Sequence, residues 1–392
     1  MKRRTLAGLL FLVVFLSVGV GGHAYLAQRL AIAPGWPEPL RSGLVVVFGV
    51  GLAAVLAQIF VRRGLGIISK ALSWAAYVWL GFTFLLLTTT FASDAALWLL
   101  GAASTAPADA QLLERARALL VAAVGTAATV VALRQGIAAP NVRRIEVPLA
   151  RWPQALDGFR IVQISDVHIG PLLDRRFAAE IATRVNALAP DLVAVTGDLV
   201  DGSVARIGDE VEPFGAIRAR HGVFFITGNH DFYSGADAWV DRVQALGWRA
   251  LRNERVVIGD GDGDFDLAGV DDHHGALLGP GQGEDLARAL DGRETARAVV
   301  LLAHDPATFR RASQHGVDLQ LSGHTHGGQI WPFRYLVRLT VPWVAGLYRR
   351  GASAVYVSRG TGFWGPPMRL GAPSEITELI LRAAPAATAV GV

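Results

Sequence analysis

The chain has 392 residues, of which 52% are hydrophobic, and a formal net charge of +4. It contains no cysteine, which excludes disulfides, thiolate metal sites and cysteine nucleophiles, so a bound metal needs histidine, carboxylate, amide or water ligands. Lysine occurs only at Lys2 and Lys70, and no basic run resembles a nucleic-acid-binding arm, so we expect no nucleic acid partner. The apolar excess lies in the first third of the chain, which indicates a membrane region followed by a globular domain.

Residues 1–135 are predicted to be a transmembrane region with about four helices. The apolar segments that support this prediction lie at 6–28, 42–61, 72–92 and 113–134. The first is long enough to cross a bilayer as a helix, for which about 20 apolar residues suffice. The fourth is weaker, because its uncharged core at 118–133 spans only about 24 Å at a rise of about 1.5 Å per residue.

The side of the membrane follows from the lysines and arginines near the segment ends. With four crossings, most of them lie on the side of the N-terminus, which predicts a multi-pass protein of the inner (plasma) membrane with its globular domain in the cytoplasm. A removable signal peptide is disfavoured, because the first apolar core is long and further apolar segments follow. Arg3 and Arg4 weakly resemble a twin-arginine export signal. In the alternative topology the globular domain lies outside, because the N-terminus is exported or the fourth segment does not cross the membrane.

Residues 141–382 are predicted to form one α/β catalytic domain, followed by a flexible tail at 383–392. Short apolar runs end in polar or glycine-rich residues, and helix-like segments separate several of them. In such folds ligands bind beyond the carboxyl ends of the strands. The polar residues that follow predicted strand ends are Asp166, His168, Asp198, Asp201, Asn229, His230, His304, His324 and His326. We therefore expect these side chains to meet at one edge of the sheet.

Each of these motifs alone has a structural explanation, because aspartate, asparagine and glycine favour turns. Their occurrence together, each at a strand end, favours a metal site instead. Mixed oxygen and imidazole ligands suit Mn²⁺, Fe²⁺ or Zn²⁺. Two such ions about 3.5–4 Å apart share a carboxylate and stabilise both oxygens of an in-line displacement at phosphorus. The residues thus indicate two divalent metal ions and phosphoester hydrolysis.

Five motifs in order resemble the calcineurin-like metallophosphoesterase superfamily. They are DVH at 166–168, GDLVD at 197–201, GNHD at 228–231, the lone His304 and GHTH at 323–326. The extended GHTHGGQ and the segment Tyr356–Gly371 are more similar to a bacterial membrane-associated branch. The resemblance implies a four-layer α/β/β/α sandwich. It also implies a phosphodiesterase or pyrophosphatase, similar in some members to the enzymes that cleave UDP-2,3-diacylglucosamine in lipid A synthesis.

The resemblance also implies a role for each motif residue. The first metal would be held by Asp166, His168, Asp198 and His326. The second would be held by Asp198, Asn229, His304 and His324, so Asp198 bridges the two ions. A metal-bridging hydroxide would attack, while His230 contacts the phosphate and protonates the leaving oxygen and Asp201 orients His230. Arg359 is predicted to contact the substrate phosphate, with an exposed loop arginine as the alternative.

Departures from the superfamily narrow the substrate. Gly202 stands where protein phosphatases carry an arginine, and Asp231 stands where they carry glutamate, so a protein phosphatase is disfavoured. His273 and His274 fit no ligand position and are assigned to a surface or substrate-facing loop. Trp331, Phe363 and Trp364 are expected either to line an acyl-chain groove or to cover the core.

We expect a phosphodiester or pyrophosphate substrate that is linked to a lipid or a nucleotide, at a membrane whose lipids contact the chain. Two alternatives remain open. One is a catalytically silent membrane receptor or scaffold with the same fold, and the other is a phosphoesterase that faces outside.

Overall fold

A computed structural model describes Val13 and residues 16–61, 66–100, 107–259, 261, 263–277, 279 and 282–384. The chain divides into two compact units. The first comprises Met1–Arg134 with Gly365–Met368, and the second comprises Gln135–Trp364 with Arg369–Val392. Most of the predicted tail at 383–392 lies outside the described residues.

Within the described part of the first unit, three helices are long and apolar enough to cross a membrane. These helices are Leu40–Val61, Ile67–Leu99 and Pro107–Ile137. The predicted segments 42–61, 72–92 and 113–134 each fall inside one of them. The first predicted segment, 6–28, lies partly outside the described residues; residues 16–26 are helical, and a π-helix follows at Ala27–Ile32.

The helix Pro107–Ile137 extends beyond its uncharged core at 118–133, and two of its arginines have partners inside the unit. Arg117 is buried and pairs with Asp94 at 2.8 Å and with Glu114 at 3.2 Å. Arg115 donates to the carbonyl oxygens of Pro34 and Gly35 at 2.9 and 2.7 Å. Paired arginines need not end an apolar helix, so the 31-residue helix is about 46 Å long at about 1.5 Å per residue.

The second unit is built on two six-stranded sheets. The strands are β1 (Asn141–Leu149), β2 (Phe159–Ile164), β3 (Leu192–Thr196), β4 (Val223–Ile226), β5 (Arg249–Ala250), β6 (Glu254–Gly259), β7 (Asp264–Gly269), β8 (Ala298–Leu302), β9 (Leu319–Ser322), β10 (Gly346–Arg350), β11 (Ser353–Val357) and β12 (Glu375–Ala383). The first sheet has the order β1-β12-β2-β3-β4-β5, and the second has the order β10-β11-β9-β8-β7-β6. Strands β2 to β5 run parallel, as do β7, β8, β9 and β11.

The two sheets enclose one apolar core and carry helices on their outer faces. Phe159 and Phe224 of the first sheet share this core with Phe265 and Leu319 of the second. The α-helices in the described part of this unit are Arg175–Ala187, Val204–Ile207, Asn229–Ser234, Ala236–Ala245, Leu286–Leu290, Phe309–Ala312 and Arg334–Thr340. Some of these helices pack on the first sheet and others on the second. The predicted α/β/β/α sandwich is therefore confirmed.

The helix Arg175–Ala187 shows why the sequence folds this way locally. Asp174 caps its N-terminus by accepting from the backbone N–H of Arg176 at 3.1 Å. Its buried residues, Ala178, Ile181, Ala182 and Val185, recur every three or four positions and so lie on the face towards the sheet. The helix returns the chain from the carboxyl end of β2 to the start of β3, so both strands run parallel and end at the same edge.

Candidate metal centre

The polar residues predicted at strand ends come together in the second unit, but from two sheets rather than one. Strands β2, β3 and β4 of the first sheet lead into Asp166, Asp198 and Asn229. Strands β8 and β9 of the second sheet lead into His304 and His324. The expectation of a single sheet edge is therefore corrected: the centre lies where the carboxyl ends of parallel strands from both sheets meet.

The first cluster consists of Asp166, His168 and His326. The Nε2 atoms of the two histidines lie 3.1 Å apart, and His326 Nε2 lies 3.5 Å from Asp166 Oδ1. Asp166 is fully buried, and its Oδ2 has no hydrogen-bond partner among the described residues. An unpartnered buried carboxylate oxygen is costly unless a cation or donor reaches it, so this cluster fits a metal ion.

The second cluster consists of Asp198, His304 and His324, with Asn229 beside it. Asp198 Oδ2 lies 3.2 Å from His304 Nε2, and His324 Nδ1 lies 3.3 Å from the same His304 nitrogen. The amide oxygen of Asn229 lies 3.0 Å from His324 Nδ1. Nitrogen and oxygen atoms that converge at such distances, with carboxylate and amide among them, are a donor set for a borderline divalent ion.

Asp198 faces both clusters with one oxygen. Its Oδ2 lies 3.9 Å from His168 Nε2 in the first cluster and 3.2 Å from His304 Nε2 in the second. Its Oδ1 instead accepts from the backbone N–H of His230 at 2.8 Å. The carboxylate is thus held in one orientation, with a single oxygen between two groups of imidazoles.

The loops that carry these residues have an uncommon backbone conformation. In these loops, five non-glycine residues have φ between 51° and 69°: Asp166, His168, Asp198, His324 and His326. L-residues rarely adopt this left-handed region, and such residues cluster at functional sites. Gly323 explains how the loops come so close, because a Cβ there would lie 2.1 Å from Asp166 Oδ2 and 2.0 Å from Ser165 Oγ.

Outer polar contacts orient three of the imidazoles, by hydrogen bonds at His304 and His230 and by an ion-pair contact at His168. His304 Nδ1 lies 2.8 Å from the carbonyl oxygen of Thr196, so this nitrogen carries a hydrogen and Nε2 is the atom that could bind a metal. Asp201 serves two histidines: its Oδ1 lies 2.5 Å from His230 Nδ1, and its Oδ2 lies 3.3 Å from His168 Nδ1. Asp201 therefore presents Nε2 of both rings to the centre.

Burial and neighbouring charges set the protonation states. Burial would raise the pKa of Asp198, but the imidazoles of His304, His230 and His168 hold that pKa well below its usual range. Burial, with the adjacent His168, lowers the pKa of His326, and burial, with the adjacent His304, lowers the pKa of His324. Burial would lower the pKa of His304 as well, but the charge and hydrogen bond of Asp198 raise it. Because metals bind neutral imidazoles, an ion at His304 would displace a proton.

His230 has the opposite tendency. Burial alone would lower its pKa, but the hydrogen bond to Asp201 and the charges of Asp198, Asp201 and Asp231 raise the pKa of His230 to about 9. The ring is therefore a proton donor at neutral pH in the metal-free protein.

Two supporting residues were not predicted from the sequence. Asp231 accepts from the backbone N–H groups of Asp198, Leu199 and Gly228 at 2.8, 3.0 and 2.8 Å, so it ties the loop after β3 to the loop after β4. Its position in GNHD was the only signal. Burial and the neighbouring Asp198 raise the pKa of Asp231 to about 7, although the backbone donors favour its ionised form.

Arg369 is the second supporting residue, and it is fully buried. It donates to the carbonyl oxygens of Arg359 and Ala372 at 2.8 Å each, and to that of Gly362. Its Nη2 also lies 3.4 Å from His326 Nδ1. A single arginine thus holds the late loop against the first cluster, and only its place in the segment Tyr356–Gly371 hinted at this.

Of the remaining candidates, His274 and Trp364 lie near the centre, and Arg359 has an acidic partner. The guanidinium of Arg359 pairs with Glu375 at 3.2 Å. His274 Nδ1 lies 2.7 Å from Asp272 Oδ1, and the rings of His274 and His324 are 6.4 Å apart. The ring of Trp364 lies 5.7 Å from that of His230. His274 and Trp364 therefore lie beside the two clusters, on the sides of His324 and His230 respectively.

A sandwich of two sheets with carboxylates and imidazoles gathered around one oxygen of Asp198 is typical of metal-dependent phosphoesterases. Residues 159–328 match the calcineurin-like phosphoesterase family. A metallophosphoesterase of Aquifex aeolicus (strain VF5) is 32% identical over 245 residues, covering 62% of this chain and 92% of that protein. The chain therefore belongs to the calcineurin-like phosphoesterase family.

Other relatives are longer than the region they share with this chain. A "Transmembrane protein with metallophosphoesterase domain" of Danio rerio is 40% identical over 253 residues, covering 62% of this chain and 58% of that protein. A metallophosphoesterase of Helicobacter pylori (strain J99 / ATCC 700824) is 36% identical over 249 residues, covering 63% of this chain and 65% of that protein. The chain thus spans less than two thirds of these relatives. The predicted superfamily and enzyme class are confirmed at the level of the family.

Proposed function

We propose that the chain is a dinuclear metal-dependent phosphoesterase that hydrolyses a phosphodiester or pyrophosphate bond. The position of Asp198 Oδ2, within 3.9 Å of one imidazole cluster and 3.2 Å of the other, carries this proposal. We assign the first ion to Asp166, His168, Asp198 and His326, and the second to Asp198, Asn229, His304 and His324. Mn²⁺, Fe²⁺ and Zn²⁺ suit this mixed donor set.

The residues around the clusters divide the work of hydrolysis. When bound, two such ions would supply a nucleophilic oxygen at neutral pH and neutralise charge on the phosphoryl group. Asp201 holds His230 at Nδ1, which leaves Nε2 to donate a proton to the leaving oxygen. His230 and Asp201 are therefore assigned as the proton donor and the residue that orients it.

The substrate is assigned to phosphodiesters or pyrophosphates linked to a lipid or a nucleotide, as in enzymes that cleave UDP-2,3-diacylglucosamine. Three apolar helices on the same chain and relatives named transmembrane proteins support a substrate at a membrane. Arg359 is assigned as an additional phosphate contact. Its pairing with Glu375 requires that it exchange or share this partner when the substrate binds.

Turnover by the purified full-length protein tests the activity. With Mn²⁺ added, we expect hydrolysis of bis-p-nitrophenyl phosphate, and no hydrolysis after chelation. Asp198→Asn weakens the shared oxygen and should lose binding of both ions and nearly all rate. Near-full activity in this variant refutes the bridging assignment. Folded, metal-loaded wild-type protein that hydrolyses no phosphoester with any divalent ion is instead the silent receptor or scaffold.

The catalytic unit is assigned to the cytoplasmic side of the inner membrane in a multi-pass protein. The excess of lysine and arginine on the side of the N-terminus supports this orientation. Reporter fusions after Val392 test it: an enzyme reporter that works only inside the cell should be active, whereas activity of a reporter that works only outside contradicts the assignment.

A further inference from the structure

An exposed apolar surface follows directly after the loop that carries His324 and His326. It consists of Trp331, Phe333, Tyr335, Leu336 and Leu339, and we refer to it as the Leu339 surface. Leu339 is 81% exposed, and the other four are about half exposed. A group of large apolar side chains left in water on this scale indicates an interaction site rather than ordinary surface.

The helix Arg334–Thr340 has its apolar face turned away from the protein. None of its residues is buried, and Val337 is the only one that is even half-buried. Tyr335, Leu336 and Leu339 are one, three and four positions apart, so they share one side of the helix. A helix on a water-soluble surface normally directs such residues inward. The exposed apolar side chains would be stabilised by an apolar environment that covers them, such as another protein or a lipid bilayer.

The charges around the Leu339 surface favour an anionic lipid bilayer as this environment. Residues 331–350 contain four arginines, Arg334, Arg338, Arg349 and Arg350, and no aspartate or glutamate. Aromatic and leucine side chains beside uncompensated arginines are typical of helices that lie in the interface of an anionic bilayer. The same chain carries three helices long and apolar enough to cross a membrane, which keeps this unit near a bilayer.

We propose that the second unit docks the Leu339 surface into the interface of an anionic lipid bilayer. Gly328 connects this surface to the metal centre, because a Cβ there would lie only 2.4 Å from Arg334 Cα. The start of the helix thus packs directly against the loop of His326, two residues before Gly328 in the chain. Docking does not depend on the proposed function. The further consequence, that the centre is held at the level of lipid headgroups, does rest on it.

The absence of cysteine makes a direct test simple, because Leu339→Cys introduces the only thiol in the chain. The full-length variant carries a nitroxide at this thiol in nanodiscs of phosphatidylcholine and phosphatidylglycerol. Electron paramagnetic resonance then measures its accessibility to oxygen, which concentrates in lipid, and to a water-soluble nickel complex. Val257→Cys is the matched control, because Val257 is 49% exposed and lies on β6, at the opposite edge of the second sheet from β10.

We expect the label at Leu339 to be more accessible to oxygen and the label at Val257 to be more accessible to nickel. Greater accessibility to nickel at Leu339 means that the surface faces water and overturns the proposal. Low accessibility to both reagents means that a protein or a second copy covers the surface, which also overturns it. In phosphatidylcholine alone the preference for oxygen should weaken, and an unchanged preference contradicts the role of the arginines.

A second measurement separates docking from catalysis. The double variant Leu336→Ser, Leu339→Ser should keep kcat/KM for water-soluble bis-p-nitrophenyl phosphate within about twofold of wild type, because both residues are exposed and outside the metal centre. When Phe333→Cys is added to this double variant and labelled with a nitroxide, the label should become accessible to the nickel complex in nanodiscs. Continued protection at Phe333 refutes the role of the two leucines. If the wild type hydrolyses nothing, the proposed function fails while the accessibility result still stands.

Discussion

His230→Gln and Asp201→Asn should lose activity by different routes, and the leaving group of the substrate separates them. A general acid contributes about 10²–10⁴-fold in rate, or about 3–5 kcal/mol of the barrier. That contribution is needed for an alkoxide leaving group and hardly at all for p-nitrophenolate, which leaves unprotonated. His230→Gln should therefore slow a dialkyl phosphodiester by about 10²–10⁴-fold and bis-p-nitrophenyl phosphate by much less.

Asp201→Asn should show an additional loss in metal binding. Asp201 lies 2.5 Å from His230 Nδ1 and 3.3 Å from His168 Nδ1, so the variant disturbs both the proton donor and a proposed ligand. Removal of such an outer partner typically costs about 10–100-fold in metal affinity. We expect His230→Gln to keep its metal affinity and Asp201→Asn to lose it by that factor.

The assay compares kcat/KM for the two substrates at saturating metal and measures metal affinity by titration of the chelator-treated protein. Equal losses for both leaving groups in His230→Gln refute the role of His230 as proton donor. Unchanged metal affinity in Asp201→Asn refutes the orientation of His168 by Asp201.

Three further predictions concern the frame of the centre. Gly323→Ala should release the first metal and destabilise the fold by about 1–3 kcal/mol, because its Cβ would overlap Ser165 and Asp166; metal content and thermal unfolding measure both, and a metal-loaded variant of wild-type stability contradicts this. Arg369→Met should cost about 3 kcal/mol or more, since buried carbonyl groups of Arg359, Gly362 and Ala372 each lose a donor at about 1–3 kcal/mol; a change below about 1 kcal/mol in thermal unfolding argues against it. In metal-free protein the pKa of His230 is raised to about 9 from about 6.5 in the unfolded chain. Its protonation therefore contributes up to about 3 kcal/mol to the free energy of unfolding, which is fully present below about pH 6.5 and is lost as pH rises through 9. His230→Gln should remove this part of the pH dependence of the thermal midpoint, and an identical pH profile in both proteins refutes it.

The residues proposed as ligands could be selected from the sequence because their chemistry and their positions after strands coincide. Asp166, Asp198 and Asn229 each follow an apolar run, and parallel strands place all carboxyl ends at one edge. The sequence does not show which strands share a sheet, because that depends on pairing between segments distant in the chain. His304 and His324 therefore follow strands of a second sheet, which the apolar runs alone did not reveal.

Residues that act through the backbone were harder to predict. Asp231 and Arg369 have no chemical signature of their own, since one accepts from backbone N–H groups and the other donates to backbone carbonyl groups. Such contacts exist only after the loops after β3, β4 and β11 have come together. The ion pairs of Arg117 within the first unit were hard to predict for a similar reason. An arginine in an apolar sequence suggests the end of a membrane segment unless its partner is known.

The backbone of the ligand loops connects these two groups of residues. Asp166, His168, Asp198, His324 and His326 all have positive φ, at a cost of about 1–2 kcal/mol each. Asp231, Arg369 and the close approach at Gly323 tie these loops to one another. These contacts therefore offset part of the backbone strain and help to position the proposed donor atoms. A chain that carries the ligand motifs but lacks these supporting residues should consequently bind metal weakly, because binding would have to provide that free energy as well.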